Sequence, residues 1–382
     1  MQKAFKGLEK AISEIKGTEM KLSDVCKLIV DCPHSTAKDE GTGYPLIRTP
    51  NIGRGRLKLD GVHRVSENVY LDRNQRATPQ TNDLILAREA PVGNVAVIKD
   101  EKVCLGQRTV LIRPDEKKVD ADFLVYYLLA PKQQHLLLSA SNGATVSHLN
   151  MSAIRNLEID LPEMNKQKRM GRILSKLDDL IVENERINKN LEQQAQAIYS
   201  KMFITDADSS WPEGKHSDLI EVCYGKDHKK LNDGVIPVYG SGGIMRHVDQ
   251  SLYDHESVLI PRKGTLNNVM YVNEPFWSVD TMFFTKMKRN HVAKFVFHFL
   301  KGKDLASMNA GSAVPSMTTK IIDAIPLQIP DDQTLSNFES LVSPYYETIA
   351  FNNQESKTLS DMRDSLLSRL MSGEIDVSNI DL

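Results

Sequence analysis

The chain has 382 residues, 41% of them hydrophobic and 26% charged, with 48 Lys and Arg against 50 Asp and Glu for a net charge of −2. That length exceeds what one core usually serves, so two or more domains are expected. The near-neutral balance excludes a uniformly basic nucleic-acid coat but leaves room for a local basic face. The four cysteines, Cys26, Cys32, Cys104 and Cys223, form no CxxC pair, so neither a disulfide framework nor a zinc site is expected, and Cys26 and Cys223 read as small buried residues.

The opening stretch, MQKAFKGLEKAISEIKG, is charged throughout and carries an apolar stripe at Phe5, Leu8, Ile12 and Ile15. It predicts an N-terminal helix over 1–20 and has no apolar centre like that of a signal peptide. No run approaches the roughly 18 apolar residues of a membrane span. A cytoplasmic location and no membrane contact are expected.

A first module follows over 21–163. DLILA, NVAVI and TVLI read as short strands, and ADFLVYYLLAP reads as an amphipathic helix. Over 164–203 the apolar positions Met170, Ile173, Leu177, Leu180, Ile187, Leu191 and Ile198 alternate spacings of three and four, as in a heptad seam. At 1.5 Å per residue such a helix spans about 60 Å. A second module occupies 204–330, with VMYV as a strand and HVAKFVFHFLKG as a helix. A second long helix takes 331–373, with Phe338, Leu341, Tyr345, Ile349, Leu359, Met362, Leu366 and Leu370 on its stripe, and a tail takes 374–382. Pro344 predicts a kink or a late start for that helix.

The order module, helix, module, helix is a repeat. SNGATVSHLNMSAIRNLEIDLP from Ser141 matches NAGSAVPSMTTKIIDAIPLQIP from Asn309 at a constant offset of 168 residues, the separation of Gly143 from Gly311. The offset holds through Leu191 and Leu359, Ile198 and Leu366, and Met202 and Leu370. Upstream, LILAREAPVGN sets Arg88 opposite Arg262 in VLIPRKGTLNN, and YPLIRTPNIG sets Pro45 opposite Pro237 in IPVYGSGGI. Copies that agree at their ends and diverge between them share a scaffold and differ in surface loops. Asn184 and Asn352 interrupt the two helical seams at matching places. A buried Asn in a seam fixes register at a cost in stability, so the two helices are expected to pair antiparallel with these residues near a pseudo-twofold centre.

Catalytic signatures are missing. There is no P-loop lysine, no HExxH and no amino-methyltransferase tetrapeptide. EGTGYP and YGSGGI do not match GxGxxG and read as turns, and RPDEKK at 113–118 reads as a solvated turn because a nuclease motif needs a wider gap between its carboxylates. What remains is polar, cationic and carried on loops. The first module offers Arg48, Asn51, Arg54, Arg56 and Lys58, then Arg88 and Asn94, then Ser147, His148 and Asn150. The second offers Lys226, Lys229 and Lys230, then Tyr239, Ser241 and Arg246, then Arg262, Lys263, Asn267 and Asn268, and Ser316. Arg and Lys suit phosphates and guanine edges, and Asn suits adenine, so their recurrence in two modules points to double-stranded DNA.

Two variable modules alternating with two matched helices resemble the specificity subunit of type I restriction-modification systems. LEQQAQAIYSKMF, SLLSRLMSGEI, ILAREAPVGN and ATVSHLNMSAIRNLEIDLP resemble that family's landmarks across nearly the whole chain. The resemblance implies an α/β (α+β) fold, with two similar target-recognition domains separated by two long antiparallel coiled-coil helices in pseudo-twofold array. It implies that each domain reads one half of a bipartite DNA site, that the helices set the gap, and that two methyltransferase subunits and translocase-nuclease restriction subunits dock on the chain. S-adenosylmethionine, ATP and magnesium are then expected in those partners and no cofactor in this chain, which is expected to catalyse nothing. The recognition subunit of a type IIB-like enzyme, whose partner joins methylation and cleavage in one polypeptide, stays open as an alternative.

Overall fold

A computed structural model describes residues 19–141, 148–308 and 316–378. The chain falls into two compact units, divided at Asn184/Glu185 and again at Asn352/Asn353. The N-terminal helix expected over 1–20 lies outside the described residues except at its end, where the expectation fails. Glu19 and Met20 belong to strand β1 (Glu19–Lys21), which pairs antiparallel with a strand near the end of the module, Met20 facing Ile159. That edge pairing is announced by no local sequence pattern, and the apolar stripe over 5–15 lies outside the described residues.

In the first unit the strands are β1, β2 (Cys26–Asp31), β3 (Tyr44–Ile47), β4 (Gly55–Arg56), β5 (Arg64–Val65), β6 (Leu84–Ala87), β7 (Val95–Val97), β8 (Cys104–Leu105), β9 (Thr109–Pro114) and β10 (Glu158–Asp160). They make a sheet of order β2-β9-β6-β7-β4, a smaller sheet of order β5-β3-β8, and the β1-β10 pair. In the second unit β11 (Glu213–Lys215), β12 (Ile220–Tyr224), β13 (Asp233–Gly240), β14 (Gly243–Val248), β15 (Ser257–Pro261), β16 (Met270–Val272), β17 (Trp277–Ser278), β18 (Met282–Met287) and β19 (Pro326–Gln328) give the orders β12-β18-β15-β16, β14-β13-β17 and β11-β19. The correspondence is strand for strand, including the parallel pairs β3·β8 and β13·β17. The extra strand β4 comes from the longer connection between β3 and β5, the stretch where the two copies diverge in length.

The uniformly apolar runs LILA and VLI are explained by burial on both faces, since successive side chains in a strand point to opposite sides. Leu84 and Leu86 face a helix at Ala121–Leu129, through Phe123 and Tyr126, while Ile85 and Ala87 face Ile47, Ile52 and Leu105. In the second unit Val258 and Ile260 face a helix at Ala293–Lys301, and Leu259 faces Val238, Val248 and Phe276.

The first long helix runs Met164–Ser200 and continues as a π-turn, Lys201–Thr205; the second runs Asp332–Met371 straight through Pro344. In the first unit, Arg169 donates to the carbonyls of Val377 and Ser378, Asp178 meets Arg363, and Asn184 meets Glu355 and Ser356. Advancing along one segment retreats along the other, so the pairing within this unit is antiparallel. In the second unit Tyr199 packs on Phe338, their ring centres 6.1 Å apart, and Asn352 donates to Asn188 at 2.8 Å, again antiparallel. Both Asn184 and Asn352 are buried.

The buried line on these helices follows the apolar stripe only in part: Met170, Phe338 and Leu370 are buried, but other stripe positions are not. Leu180, Ile187, Leu341 and Met362 are exposed, while Gln167, Ser175, Asp178 and Asn184 are buried. The helix must face both its partner segment and a globular domain, and hydrogen-bonded polar side chains fill part of that double interface. Gly171 shows how close the domain comes: a Cβ there would stand 2.6 Å from the backbone nitrogen of Phe123.

Each domain is latched to its own helical segments at the same place in the repeat. In the first unit Tyr126 donates to Asp178 at 2.6 Å, and Asp178 accepts from Arg363 at 2.5 Å. In the second, His298 occupies the position of Tyr126 in its helix, and Tyr346 stands 168 residues after Asp178. There His298 Nε2 lies 2.8 Å from the Tyr346 hydroxyl and Nδ1 lies 2.7 Å from Gln196.

Candidate nucleic-acid interface

The landmark loops that follow β6 and β15 are built alike. Arg88 donates its backbone N–H to the carbonyl of Arg108 and accepts from Leu149; Arg262 does the same with Thr281 and Met317. Asn94 Nδ2 donates to the carbonyl of Ile52 at 3.0 Å, and Asn268 Nδ2 to that of Ser241 at 2.8 Å. In both units, therefore, an asparagine braces this loop against the segment that follows the central strand of the smaller sheet. Ser316 forms a bridge to Lys263.

The side chains on this common frame differ. Arg88 is buried, 6% exposed, with Nη1 on Asp31 at 2.6 Å, Nε on the carbonyl of Leu149 at 2.7 Å and Nη2 against His148 Nε2 at 2.6 Å. The other ring nitrogen of His148 lies 2.6 Å from Glu89, which also pairs with Arg108 at 2.9 Å. Arg88 and His148, expected as DNA contacts, are thus committed to an internal charge network. Asn150 is committed as well: its side chain caps the helix Met151–Arg155 by accepting from Ala153, as Thr318 caps Thr319–Asp323. Ser147 lies outside the described residues.

The cluster read from IRTPNIGRGRLK separates in the same way. Asn51 is buried, accepting from the Arg48 N–H and donating to the carbonyl of Lys58. Arg56 binds Asp179 at 2.7 Å and Ser175 Oγ at 2.7 Å on the long helix of its own unit. Arg54 and Lys58 are exposed and Arg48 is half-buried. Only a fold brings residues 56 and 179 together; the stretch itself holds no sign that Asn51 and Arg56 are committed inside.

In the second unit Lys226, Lys229, Lys230 and Lys263 are exposed. Tyr239 donates to Glu274 at 3.1 Å, and burial raises its phenol above the usual range, so the hydroxyl stays protonated. Arg246 pairs with Asp233 at 2.8 Å, and Asn267 with Asp304 at 3.1 Å. Ser241 sits at the β13–β14 turn, half-buried. The sequence reading missed Tyr224. Its ring is 53% exposed at the end of edge strand β12, with the Arg262 guanidinium 5.4 Å from its centre. The available signal was an aromatic residue directly before the basic run GKDHKK.

The RPDEKK turn is neutralised locally, Arg113 pairing with Asp83 at 2.7 Å and Glu116 with Lys27. Cys26 and Cys223, expected as buried, are half-buried, while Cys32 and Cys104 are buried; burial raises the Cys26 thiol to about 12 and the Cys104 thiol to about 11. Among the described residues no helix is long and apolar enough to cross a membrane.

Comparison with known proteins agrees with this two-unit layout. The sequence pattern described as "Type I restriction modification DNA specificity domain" matches residues 15–193 and 209–360. The MjaIX type I restriction enzyme specificity subunit of Methanocaldococcus jannaschii is 23% identical over 364 residues, covering 84% of this chain and 83% of that one. The EcoBI specificity subunit of Escherichia coli is 22% identical over 183 residues, 47% of this chain and 38% of the relative. The crystal structure of the S subunit of a type I restriction-modification system from M. genitalium superposes with a TM-score of 0.54 at 17% identity, covering 92% of this chain and 95% of the other. The chain belongs to the type I restriction-modification DNA specificity family, carrying its domain twice.

Proposed function

We propose that this chain is the sequence-reading, non-catalytic subunit of a type I restriction-modification complex, in which each unit's globular domain reads one half of an asymmetric bipartite DNA site. The observation that carries the reading is the strand-for-strand duplication of the domains together with different side chains on equivalent loops. A repeated scaffold suits a duplex whose backbones are related by dyads, and unlike loops suit unlike half-sites. The exposed cations Arg54, Lys58, Lys226, Lys229, Lys230 and Lys263 supply phosphate contacts, which position the protein without carrying sequence information. The paired helical segments set the number of unread base pairs and dock two methyltransferase subunits. Those subunits hold S-adenosylmethionine, and restriction subunits bring ATP and magnesium chemistry. The complex works in the cytoplasm.

Methylome sequencing of cells that express the chain with its methyltransferase partner tests this. The expected result is a single two-part motif with unequal halves and a fixed unread gap. A palindromic or continuous motif, or none that depends on this chain, would refute it.

A further inference from the structure

The two landmark arginines sit on the same rung of equivalent sheets. In the first unit Asp31 pairs with Val110 and Val110 with Leu86, two residues before Arg88. In the second, Tyr224 pairs with Phe283 and Phe283 with Ile260, two residues before Arg262. Tyr224 therefore stands where Asp31 stands, and that exchange changes what the neighbouring arginine can do. Asp31, His148 and the Leu149 carbonyl consume the Arg88 guanidinium and hold it inside. Around Arg262 the same positions carry the Tyr224 ring and Ser316, and Lys263 replaces Glu89. Among the described residues no carboxylate lies within ion-pair reach of Arg262; its one side-chain hydrogen bond there runs from Nη1 to the carbonyl of Asp280 at 3.2 Å. The Tyr224 ring is itself fixed edge-on against the fully buried Phe283, ring centres 5.1 Å apart.

We infer that Tyr224 and Arg262 form a base-reading arm of the second unit, in which the exposed tyrosine ring steadies the arginine fork for the acceptor edge of a guanine, whereas Arg88 is a strut. The inference rests on the DNA-recognition reading above and adds to it a specific pair and an asymmetry between the two domains. A guanidinium over an aromatic face keeps its charge and its planar donors while losing rotational freedom. A planar fork presented in this way matches the paired O6 and N7 acceptors of guanine. Lys263, directly after Arg262, and Lys226, two residues after Tyr224, are exposed and suit flanking phosphates.

The test uses the assembled complex with its methyltransferase partner and duplexes substituted at one base pair at a time, read by fluorescence anisotropy and by the methylated motif. Arg262→Lys keeps the charge and removes the fork. It is expected to relax one position of one half-site, cutting discrimination there on the order of tenfold or more, with the other half-site unchanged. Tyr224→Ala should relax the same position, and Tyr224→Phe, which keeps the ring, should retain it. Arg88→Ala should lower the melting temperature of the chain without changing preference at any single position. An unchanged motif in both Arg262→Lys and Tyr224→Ala, or an equal loss across all sequences, would overturn the inference while leaving bipartite recognition standing. A wild-type complex that marks no two-part sequence overturns the underlying reading as well.

Discussion

Replacing Asp178 with alanine removes the central acceptor of the first unit's latch. The carboxylate is 3% exposed and takes both the Tyr126 hydroxyl and an Arg363 guanidinium whose side chain is 11% exposed. The variant strands a buried cation and a buried phenol together. Breaking one partner of a buried pair costs about 3–5 kcal/mol, because the survivor keeps its desolvation penalty without its attraction. Arg363 retains Asp364 at 2.9 Å and Ser360 at 3.1 Å, which places the expected loss near the lower figure. For a unit of this size, each kcal/mol moves the melting temperature by about 2–4 °C, so a drop of roughly 10 °C is expected by calorimetry in the transition of the first unit alone. A double-mutant cycle with Arg363→Ala isolates the pair, and a coupling of about 1 kcal/mol or more is expected. Strictly additive losses, or a loss in Asp178→Ala under about 1 kcal/mol, would show that the latch is ornamental and that apolar packing alone fixes the domain on its helix.

The second unit should be the more acid-sensitive. Burial lowers the pKa of His298 to about 3 and that of His216 to about 4, so each binds a proton more readily unfolded than folded, and each contributes stability that is lost as pH falls below about 6.5. Between pH 6 and 4 each histidine costs up to about 1.4 kcal/mol per pH unit; urea unfolding of His298→Gln should show a flatter dependence, and an unchanged slope would refute the assignment. Lys294, buried between Glu256 at 2.9 Å and Glu339 at 2.6 Å, should cost about 3–5 kcal/mol when replaced by alanine, measured as a shift of the urea midpoint. Exchanging residues 21–163 for the corresponding module of a relative should change one half of the methylated motif and leave the other intact; altered bases in both halves would contradict independent reading.

The scaffold was legible because it is periodic or repeated. Strand runs such as DLILA and TVLI, helices such as ADFLVYYLLAP, and the offset of 168 residues all reappear as structure. Partnerships over long chain distances were not legible. Nothing local in REAP says that Arg88 turns inward; that depends on Asp31 and on His148, which lie 57 and 60 residues away. The helical stripe misled for a related reason. Counting apolar residues selected Leu180 and Met362, which are exposed, over Asp178, whose buried carboxylate is satisfied by Arg363 from the far end of the sequence. Composition reports which residues prefer burial, and pairing decides which polar ones can join them.

The first unit is closed by residues that lie beyond the second in the chain. Leu367, Leu370 and Val377 are buried in its core, and Arg169 holds the carbonyl of Val377, whereas the second unit is one uninterrupted stretch, Glu185–Asn352. On the ribosome the second unit can therefore finish folding first, while the first waits with an open apolar flank for the residues beyond Asn352 to emerge. A chain broken off near residue 352 would keep a sound second half and leave the first unsealed, so quality control by chaperones and proteases would remove truncated readers before they could join a complex and mark DNA with half a specificity.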